Sequence, residues 1–527
     1  MFKLQKPLFK CIVSIIAFIK TNHKNRGNMQ RKNIRRLVKR QLKYNHPHWK
    51  KMKKKAKKKL LKQVVDEVKN NYDFSQPLNI PIEELTGIED QIPSKGIKNL
   101  TEMAEYIDNF YSNHLFDLDK KRKPFPEIVD QELKFIDDLF DDPIINSLLT
   151  PKSYSAPHRK IQPYQLFRME ILKVIKYPEI SYRKFCTDEY FGKERKQNRR
   201  FVRLPLNTNE QIDHTELCHF RTSLSFTQLM NILVYILHHL DESGCLENSV
   251  VHGIDSTELP AETNYPLCTV KVNGKKIRIY SDPDCDCGKR RNKRDKSQYV
   301  IGYRMHTLTA INPSTGHSFP LVSIVGAANH HDSLFLTPLI KLAQAMGIDV
   351  KLITADQAYH DSDGSVLEET GVYVIAPPSK KAVLPDNVLD FPVRVTCNDF
   401  CETPMRILGS LQNGHEFGCG AEPGECIFEQ TCPKSRIISF DNGYFQPMPT
   451  FHNVSEQAID IRKNCERPFN LMKKREGLEQ TRVRSQHGVV ARSTFTTIAT
   501  LLIELAGTRQ KHNHKEDDQM DLFATTG

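Results

Sequence analysis

The sequence has no uninterrupted apolar run of the roughly 18 residues that a membrane-spanning helix needs, and we therefore predict no membrane partner. The apolar run at residues 11–19 is short, lies between Lys10 and Lys20, and is not followed by a small-residue cleavage site. A signal peptide is thus the lesser alternative for this run. Translation from Met29 would remove the run altogether.

The sequence also lacks the dense cysteine framework of a small secreted domain. Its 13 cysteines are an odd number spread over 527 residues, which predicts a reducing, cytoplasmic compartment. No paired C-x2-C motif is present in residues 379–437, yet this stretch holds a cluster of cysteines, namely Cys397, Cys401, Cys419, Cys426 and Cys432. Such a cluster predicts a Cys-rich insertion with a structural Zn²⁺ site, with an iron–sulfur cluster or unligated thiols as alternatives.

A net positive charge is confined to the N-terminal segment. Residues 1–70 hold 23 Lys and Arg against only Asp66 and Glu67, a net charge of +21, so the remainder of the +13 chain carries −8. A block of like charge this long repels itself and attracts a polyanion through phosphate contacts. We therefore predict a basic nucleic-acid-binding arm at residues 1–70; a solvated, partly disordered charge run is the alternative.

Helical patterns occupy the chain as far as residue 248. Residues 71–155 are rich in acidic residues and proline and predict helical pieces joined by linkers. In residues 156–248 the apolar residues recur at helical spacing, which predicts an all-α N-terminal domain. Its first helix should end at Tyr177-Pro178, Ser181 should cap the next helix, and a third should run over residues 215–240. This domain would bind DNA, mediate dimerisation or serve only structural packing.

An α/β pattern replaces the helical one after His252. The predicted strands cover residues 250–255, 269–272, 275–280, 305–311, 319–325, 350–354 and 372–376. Asn273-Gly274 is typical of a two-residue hairpin turn between the second and third of these strands. The predicted helices cover residues 332–346 and 361–370, a stretch beginning near Val454, and residues 489–505. We therefore predict an α/β catalytic domain at residues 249–378 and 438–507, interrupted by the insertion and followed by a polar tail at 508–527.

Three acidic residues are the candidates for catalysis. Asp255 and Asp356 each end a predicted strand, where ligands reach the sheets of α/β folds. Glu466 lies between Arg462 and Lys473 at helical spacings that put all three on one face. Each aspartate alone could be a turn cap, and the helical stripe could be a solvated face. Together, three carboxylates suit two Mg²⁺ or Mn²⁺ ions, which promote phosphodiester chemistry.

Five motifs around these acids resemble the DDE transposases of bacterial insertion sequences, including the subgroup with a Tyr–Arg–Glu–Lys motif. Along the chain they are Gly253–Thr257, Gly302–His306, Ala327–Asp332, Thr354–Tyr359 and Arg462-x3-Glu466-x6-Lys473. The resemblance implies an RNase H-like catalytic core in which Asp255, Asp356 and Glu466 bind two Mg²⁺ or Mn²⁺ ions. The sequence departs from the subgroup at Ile459, where its tyrosine would stand. The only tryptophan, Trp49, lies outside the core, so a flipped base would stack on Tyr or Phe.

The resemblance also implies a reaction and its partners. The enzyme would cleave double-stranded DNA at terminal inverted repeats and join the freed end to target DNA, working as a homodimer in the nucleoid-associated cytoplasm. The residues it implies for DNA contact are Arg462, Lys473, Arg304, His306 and His331, with His330 or His331 near the metal ions.

Three alternatives remain open. Pro468 predicts a helix start or a bend next to Glu466, and Glu479 is the reserve for the third acid. An RNase H-like nuclease without strand transfer, and a transposase-derived DNA-binding protein without catalysis, are the alternative functions. Inverted repeats flanking the gene would favour the transposase.

Overall fold

The structure, a computed structural model, describes residues 88, 91–93, 95–118, 128–150, 161–206, 212–247, 249, 251–263, 266, 268–272, 275–282, 284–290, 298–312, 317–361, 364–377, 388–390, 393–397, 403–411, 414–422, 424–425, 429–430, 432, 434–439, 458–475, 477–480 and 483–524. The predicted basic arm at residues 1–70 lies outside these residues, and so do Cys401 and Cys426 of the predicted zinc site.

Helices fill the first half of the described chain. They are α1 (Leu100–Leu118), α2 (Gln131–Leu139), α3 (Asp142–Leu149), α4 (Pro163–Lys176), α5 (Tyr182–Phe185), α6 (Asp188–Phe191), α7 (Lys196–Phe201), α8 (His214–Ser223) and α9 (Phe226–Glu242). As predicted, α4 ends before Tyr177, and the Ser181 hydroxyl accepts a hydrogen bond from the Lys184 amide at the start of α5. The helix predicted over residues 215–240 is instead two helices, α8 and α9. The break falls at Leu224, and the Ser225 side chain then caps α9 in a reciprocal capping box with Gln228.

A mixed sheet forms the centre of the second half. Its strands are β1 (Val251–Pro260), β4 (Asp286–Arg290), β5 (Gln298–Ile311), β6 (Ser318–Ala327), β7 (Leu352–Thr354) and β8 (Tyr373–Ile375). The order is β4-β5-β1-β7-β8, and β6 pairs with the same edge of β5 as β4 does. Strands β1, β4 and β6 each pair antiparallel with β5, whereas β7 pairs in parallel with β1, and β8 pairs in parallel with β7. This mixed α/β arrangement is compatible with an RNase H-like core.

The remaining strands form three small sheets. The predicted hairpin is confirmed as β2 (Cys268–Val272) and β3 (Lys275–Ile279), paired antiparallel. The region predicted as a Cys-rich insertion contains β9 (Val388–Asp390) with β10 (Val393–Val395), and a sheet of β11 (Arg406–Leu411), β12 (Gly414–Gly418) and β13 (Ser435–Ser439). Cys397, Cys419 and Cys432 form no disulfide. Their role in zinc binding stays a prediction.

Further α-helices precede the long helix α13 (Gln486–Ala524), namely α10 (Leu336–Ala345), α11 (Ser365–Thr370) and α12 (Glu466–Lys474), and residues 458–461 are helical too. Helix α13 packs against the N-terminal helices: Phe495 lies between Phe167 of α4 and Phe220 of α8, with ring centroids 6.0 and 6.2 Å away. Buried residues of the helices and of the sheet thus form one continuous hydrophobic core.

No uninterrupted apolar run is present, but one helical segment is apolar enough on average to cross a membrane. Gln486–Gly507 of α13 passes that test by length and composition. Its threonines interrupt the apolar run, yet they are buried, and Thr494, Thr496 and Thr500 donate hydrogen bonds to backbone carbonyls of the helix itself. Nearly all of this segment is buried inside the protein, so it serves here as a core helix.

Candidate active site

The pairing of β1 with β7 puts Asp255 and Asp356 the same number of residues beyond the last paired residue of each strand. Strands β1 and β7 pair in parallel only as far as Gly253 and Thr354, and each aspartate follows two residues later. Asp255 was predicted to end its strand, but it lies in the middle of β1 because antiparallel pairing with β5 continues to Pro260. Asp356 does end its strand, and its side chain accepts a hydrogen bond from the Ala358 amide at 2.9 Å.

Asp255 lies in a surplus of negative charge. Burial raises its pKa to about 6, and the carboxylates of Asp356 and Glu466 add to the shift, while Arg462 opposes it. Its side chain also accepts a hydrogen bond from the Ser256 amide at 2.7 Å, which favours the ionised form. The three predicted acids therefore belong to one electrostatic neighbourhood, and the charges around them are not balanced.

A further acid, Asp332, belongs to the same neighbourhood. The pKa of Asp356 is raised by burial and by the charge of Asp332, whereas Arg462 and Arg304 lower it. Asp332 starts the short 3-10 helix that leads into α10. Sequence reasoning gave it no role, although it closes the Ala327–Asp332 motif and so carried a usable signal.

Arg304 is held by carboxylates. Its Nη1 donates to Asp332 Oδ1 at 2.5 Å, and its Nη2 lies 3.7 Å from Glu258 Oε1. Glu258 and Arg304 are direct cross-strand partners on β1 and β5, so the strand register itself creates the second contact. A phosphate would have to compete with both acids for this guanidinium. The DNA contact expected of Arg304 stays a prediction.

The structure corrects the expected role of His306. This side chain is fully buried: its Nδ1 bonds to the Tyr359 hydroxyl at 2.7 Å and its ring stacks on Phe335 at 3.7 Å. Burial holds its pKa well below the usual value, so the ring is neutral and has no surface for DNA. His306 instead stacks on Phe335 and forms a hydrogen bond with the Tyr359 hydroxyl. His331 is exposed and caps the 3-10 helix, bonding to Ser333, and its contact with DNA stays a prediction.

Glu466 is the first residue of α12, directly after a 3-10 helix at Arg462–Cys465. Pro468 therefore falls in the first turn, where its missing amide hydrogen breaks no helical bond, and the predicted helix start next to Glu466 is observed. Glu466 and Lys473 keep the predicted spacing within α12, whereas Arg462 lies in the 3-10 helix, whose rotation per residue differs from that of an α-helix. Glu466 is exposed and contributes to the raised pKa of Asp255.

The reserve acid, Glu479, has a different partner. Its Oε1 lies 3.1 Å from the Nζ of Lys473, so these two side chains form an ion pair. A phosphate contact by Lys473 would break or share that pair. Because Glu466 acts on Asp255 and Glu479 is paired with Lys473, Glu466 is the better candidate for the third acid.

The donor set fits a hard divalent cation. In the described part of the chain, no three His, Cys, Asp or Glu side chains are close enough together to hold a metal ion. The acids at the site nevertheless offer only carboxylate oxygens, which Mg²⁺ and Mn²⁺ prefer. A cation would also offset the like charges that raise the pKa of Asp255.

Comparison with known proteins assigns the region around these acids to a family. No curated protein matches the chain. Residues 251–502 match a family model described as the transposase DDE domain. The match begins at the first residue of β1, includes Asp255, Asp356 and Glu466, and ends within α13. The chain therefore contains a transposase DDE domain over residues 251–502.

Proposed function

We propose that this chain cuts and rejoins DNA by cut-and-paste transposition, with Asp255, Asp356 and Glu466 as its catalytic acids. The observation that carries the proposal is the pKa of Asp255, which burial and the carboxylates of Asp356 and Glu466 raise to about 6. Such uncompensated charge is typical of functional sites, and here it lies inside a transposase DDE domain.

The three acids would hold two Mg²⁺ or Mn²⁺ ions. When bound, such ions stabilise the charge that develops on the attacking and leaving oxygens of a phosphodiester. The structure supports this assignment in two ways: the donors are hard oxygens, and their like charges oppose one another without a cation. Asp356 would be fixed for this role by its bond to the Ala358 amide.

The cationic side chains would hold the DNA strand. Arg462 is near enough to lower the pKa of both Asp255 and Asp356, so a phosphate bound over these acids would meet its guanidinium. A water molecule would first hydrolyse a phosphodiester at the element end and free a 3′-hydroxyl. That hydroxyl would then attack a phosphodiester of the target DNA, displacing the 3′-oxygen of the target strand.

The other parts of the chain would supply DNA binding and assembly. We assign non-specific DNA binding to the basic arm at residues 1–70, whose net charge of +21 suits a polyanion. We assign recognition of the terminal inverted repeats, and pairing of two subunits, to the helices of residues 156–248. A zinc ion would stabilise the Cys-rich insertion. These assignments rest on the sequence.

The test uses the full chain, Mg²⁺ and a duplex carrying the inverted repeats that flank the gene. We expect strand cleavage followed by joining to a second duplex. Asp255→Asn, Asp356→Asn and Glu466→Gln should each abolish both products without loss of DNA binding. The matched controls are Asp349→Asn and Glu479→Gln, which also remove one charge.

Each outcome of this test separates the candidate functions. Cleavage that survives the Asp255 and Asp356 substitutions would overturn the site assignment. Cleavage without joining would identify a nuclease, and binding without cleavage would identify a DNA-binding protein derived from a transposase.

A further inference from the structure

We propose that Gly253 and Cys465 are positioning residues, whose contact sets how close Glu466 lies to Asp255. The proposal rests on the catalytic role of Glu466 proposed above and extends it to two residues that would touch neither metal nor DNA.

The contact leaves no room for a side chain on Gly253. A Cβ atom built on Gly253 would lie 1.7 Å from Cys465 Sγ, 3.0 Å from Ile311 Cδ1 and 3.4 Å from Cys465 Cβ. The first distance is less than half of a normal contact between these atoms. Cys465 is 1% exposed, so its sulfur cannot turn away into solvent. The thiol therefore takes the place that the side chain of residue 253 would fill.

Each of the two residues lies close in sequence to one of the two acids: Gly253 to Asp255 on β1, and Cys465 to Glu466. Gly253 and Asp255 are two positions apart on β1, so their side-chain directions lie on the same face of the sheet, about 7 Å apart. Cys465 directly precedes Glu466 at the junction of the 3-10 helix and α12. The Gly253–Cys465 contact and the Asp255–Glu466 pair are thus neighbouring points of one junction between β1 and the Glu466 segment.

A neutral contact is needed because the acids cannot attract each other. Glu466 and Asp356 both raise the pKa of Asp255, so without a cation the three carboxylates repel one another. Phe469 and Met472 are buried and hold the body of α12, but they lie three and six residues beyond Glu466. The thiol on Gly253 holds the start of the helix against that repulsion.

The test enlarges the side chain at position 253 and then reduces the one at position 465. Gly253→Ala should push the Glu466 segment away from β1, and a displacement on the order of 1 Å can cost roughly 100-fold in rate. We therefore expect Gly253→Ala to lower both Mn²⁺ affinity and DNA cleavage, cleavage by roughly 100-fold. Adding Cys465→Ala removes the sulfur and leaves contacts of 3.4 Å with the Cβ of residue 465 and 3.0 Å with Cδ1 of the flexible Ile311 side chain. The double variant should recover cleavage to within about tenfold of the wild type.

Two controls separate positioning from general damage. Gly409→Ala adds the same methyl group on another strand, β11, where nothing lies within 4 Å, and should change neither readout. Cys465→Ser keeps nearly the same size and should retain Mn²⁺ affinity and cleavage. Thermal unfolding of each variant, measured in parallel, reports whether it folds.

Each result has a fixed meaning. A folded Gly253→Ala variant with wild-type Mn²⁺ affinity and cleavage would overturn this proposal and leave the proposed function intact. If Gly253→Ala does not fold, recovery of both folding and cleavage in the double variant supports the contact, and failure of Cys465→Ala to restore them overturns it. A wild-type protein that neither binds Mn²⁺ nor cleaves DNA would instead overturn the proposed function.

Discussion

At the scale of single residues, the site is built from carboxylates that the fold has not neutralised. Arg304 is shared between Asp332 and Glu258, and Arg462 is the cation that lowers the pKa of both Asp255 and Asp356. Burial adds to the charge surplus, because it removes the water that would otherwise stabilise an ionised carboxylate. Without a metal ion, these ionised carboxylates therefore lower the free energy of unfolding of the protein.

The first prediction concerns Asp255 and pH. Its pKa is about 6 in the folded protein against an ordinary value of 3.8, so the folded state binds this proton more tightly. The resulting stabilisation is complete below about pH 4 and is lost as the pH rises through 6. Asp255→Asn cannot ionise, and at neutral pH it should stabilise the metal-free protein by about 1–3 kcal/mol.

Thermal unfolding in EDTA between pH 4 and pH 7.5 checks this prediction. The gain should shrink to nothing near pH 4, and the exposed control Asp349→Asn should show no comparable gain. An equal gain at both ends of the pH range would mean that Asp255 stabilises or destabilises the fold by something other than its charge.

Residue-level features were predictable from the sequence where they depend on nearby residues only. The position of Asp356 after its strand and the Ser181 cap were predicted correctly, because strand ends and helix caps are visible in local patterns. The burial of His306 was missed, because it depends on Tyr359 and Phe335, which come from distant positions in the chain. The position of Asp255 within β1 was missed for the same reason, since its pairing with β5 is long-range.

At the scale of elements, the start of α13 is fixed by the segment between β3 and β4. The Ser485 amide donates to Asp282 Oδ2 and the Gln486 amide to Asp284 Oδ2, both at 3.1 Å. Carboxylates at a helix N-terminus accept hydrogen bonds from the free amides and are attracted to the positive end of the helix dipole. The hairpin that was predicted from Asn273-Gly274 therefore leads directly into an anchor for the last helix of the DDE domain.

The second prediction follows from this anchor. Asp284→Ala removes the acceptor of the Gln486 amide and should lower the free energy of unfolding by about 1 kcal/mol. Urea denaturation measures the change, with Asp349→Ala as the control for loss of an exposed acid. Equal stabilities of the two variants would show that solvent replaces the Asp284 carboxylate at no cost.

Element boundaries mark the limit of local patterns. The break between α8 and α9 at Leu224 was not predicted, because the apolar spacing of residues 215–240 continues through it and the Ser225 capping box was overlooked. The 3-10 helix before Glu466 was missed too, and with it the rotation of Arg462 relative to Glu466. Both features are short changes of backbone geometry inside a longer helical pattern.

At the scale of the whole molecule, the helices of the first half and the DDE domain share a core. Phe495 of α13 packs on Phe167 of α4 and stacks on Phe220 of α8, and all three rings are fully buried. The sequence predicted the two regions because a helical apolar pattern in the first gives way to an α/β pattern in the second. It could not predict this packing, since the contacts join residues more than 270 positions apart.

The third prediction tests that shared core. Phe495→Ala leaves a cavity between three elements and should cost about 3–5 kcal/mol. Because the cavity touches both regions, helical and sheet signals should shift together in circular dichroism and fluorescence melts. Leu411→Ala, on the partly exposed β11, serves as the control and should cost far less. Separate transitions for the two regions would contradict a common core.

The burial of α13 also bears on how the protein is made. The aromatic partners of Phe495, Phe220 and Phe167, are synthesised 275 and 328 residues before Phe495 itself. Until α13 emerges, the apolar faces of α4 and α8 lack one of their partners, so the nascent chain cannot complete its core. A product that stops short of α13 is expected to aggregate or be degraded, and only synthesis through α13 would yield the folded protein.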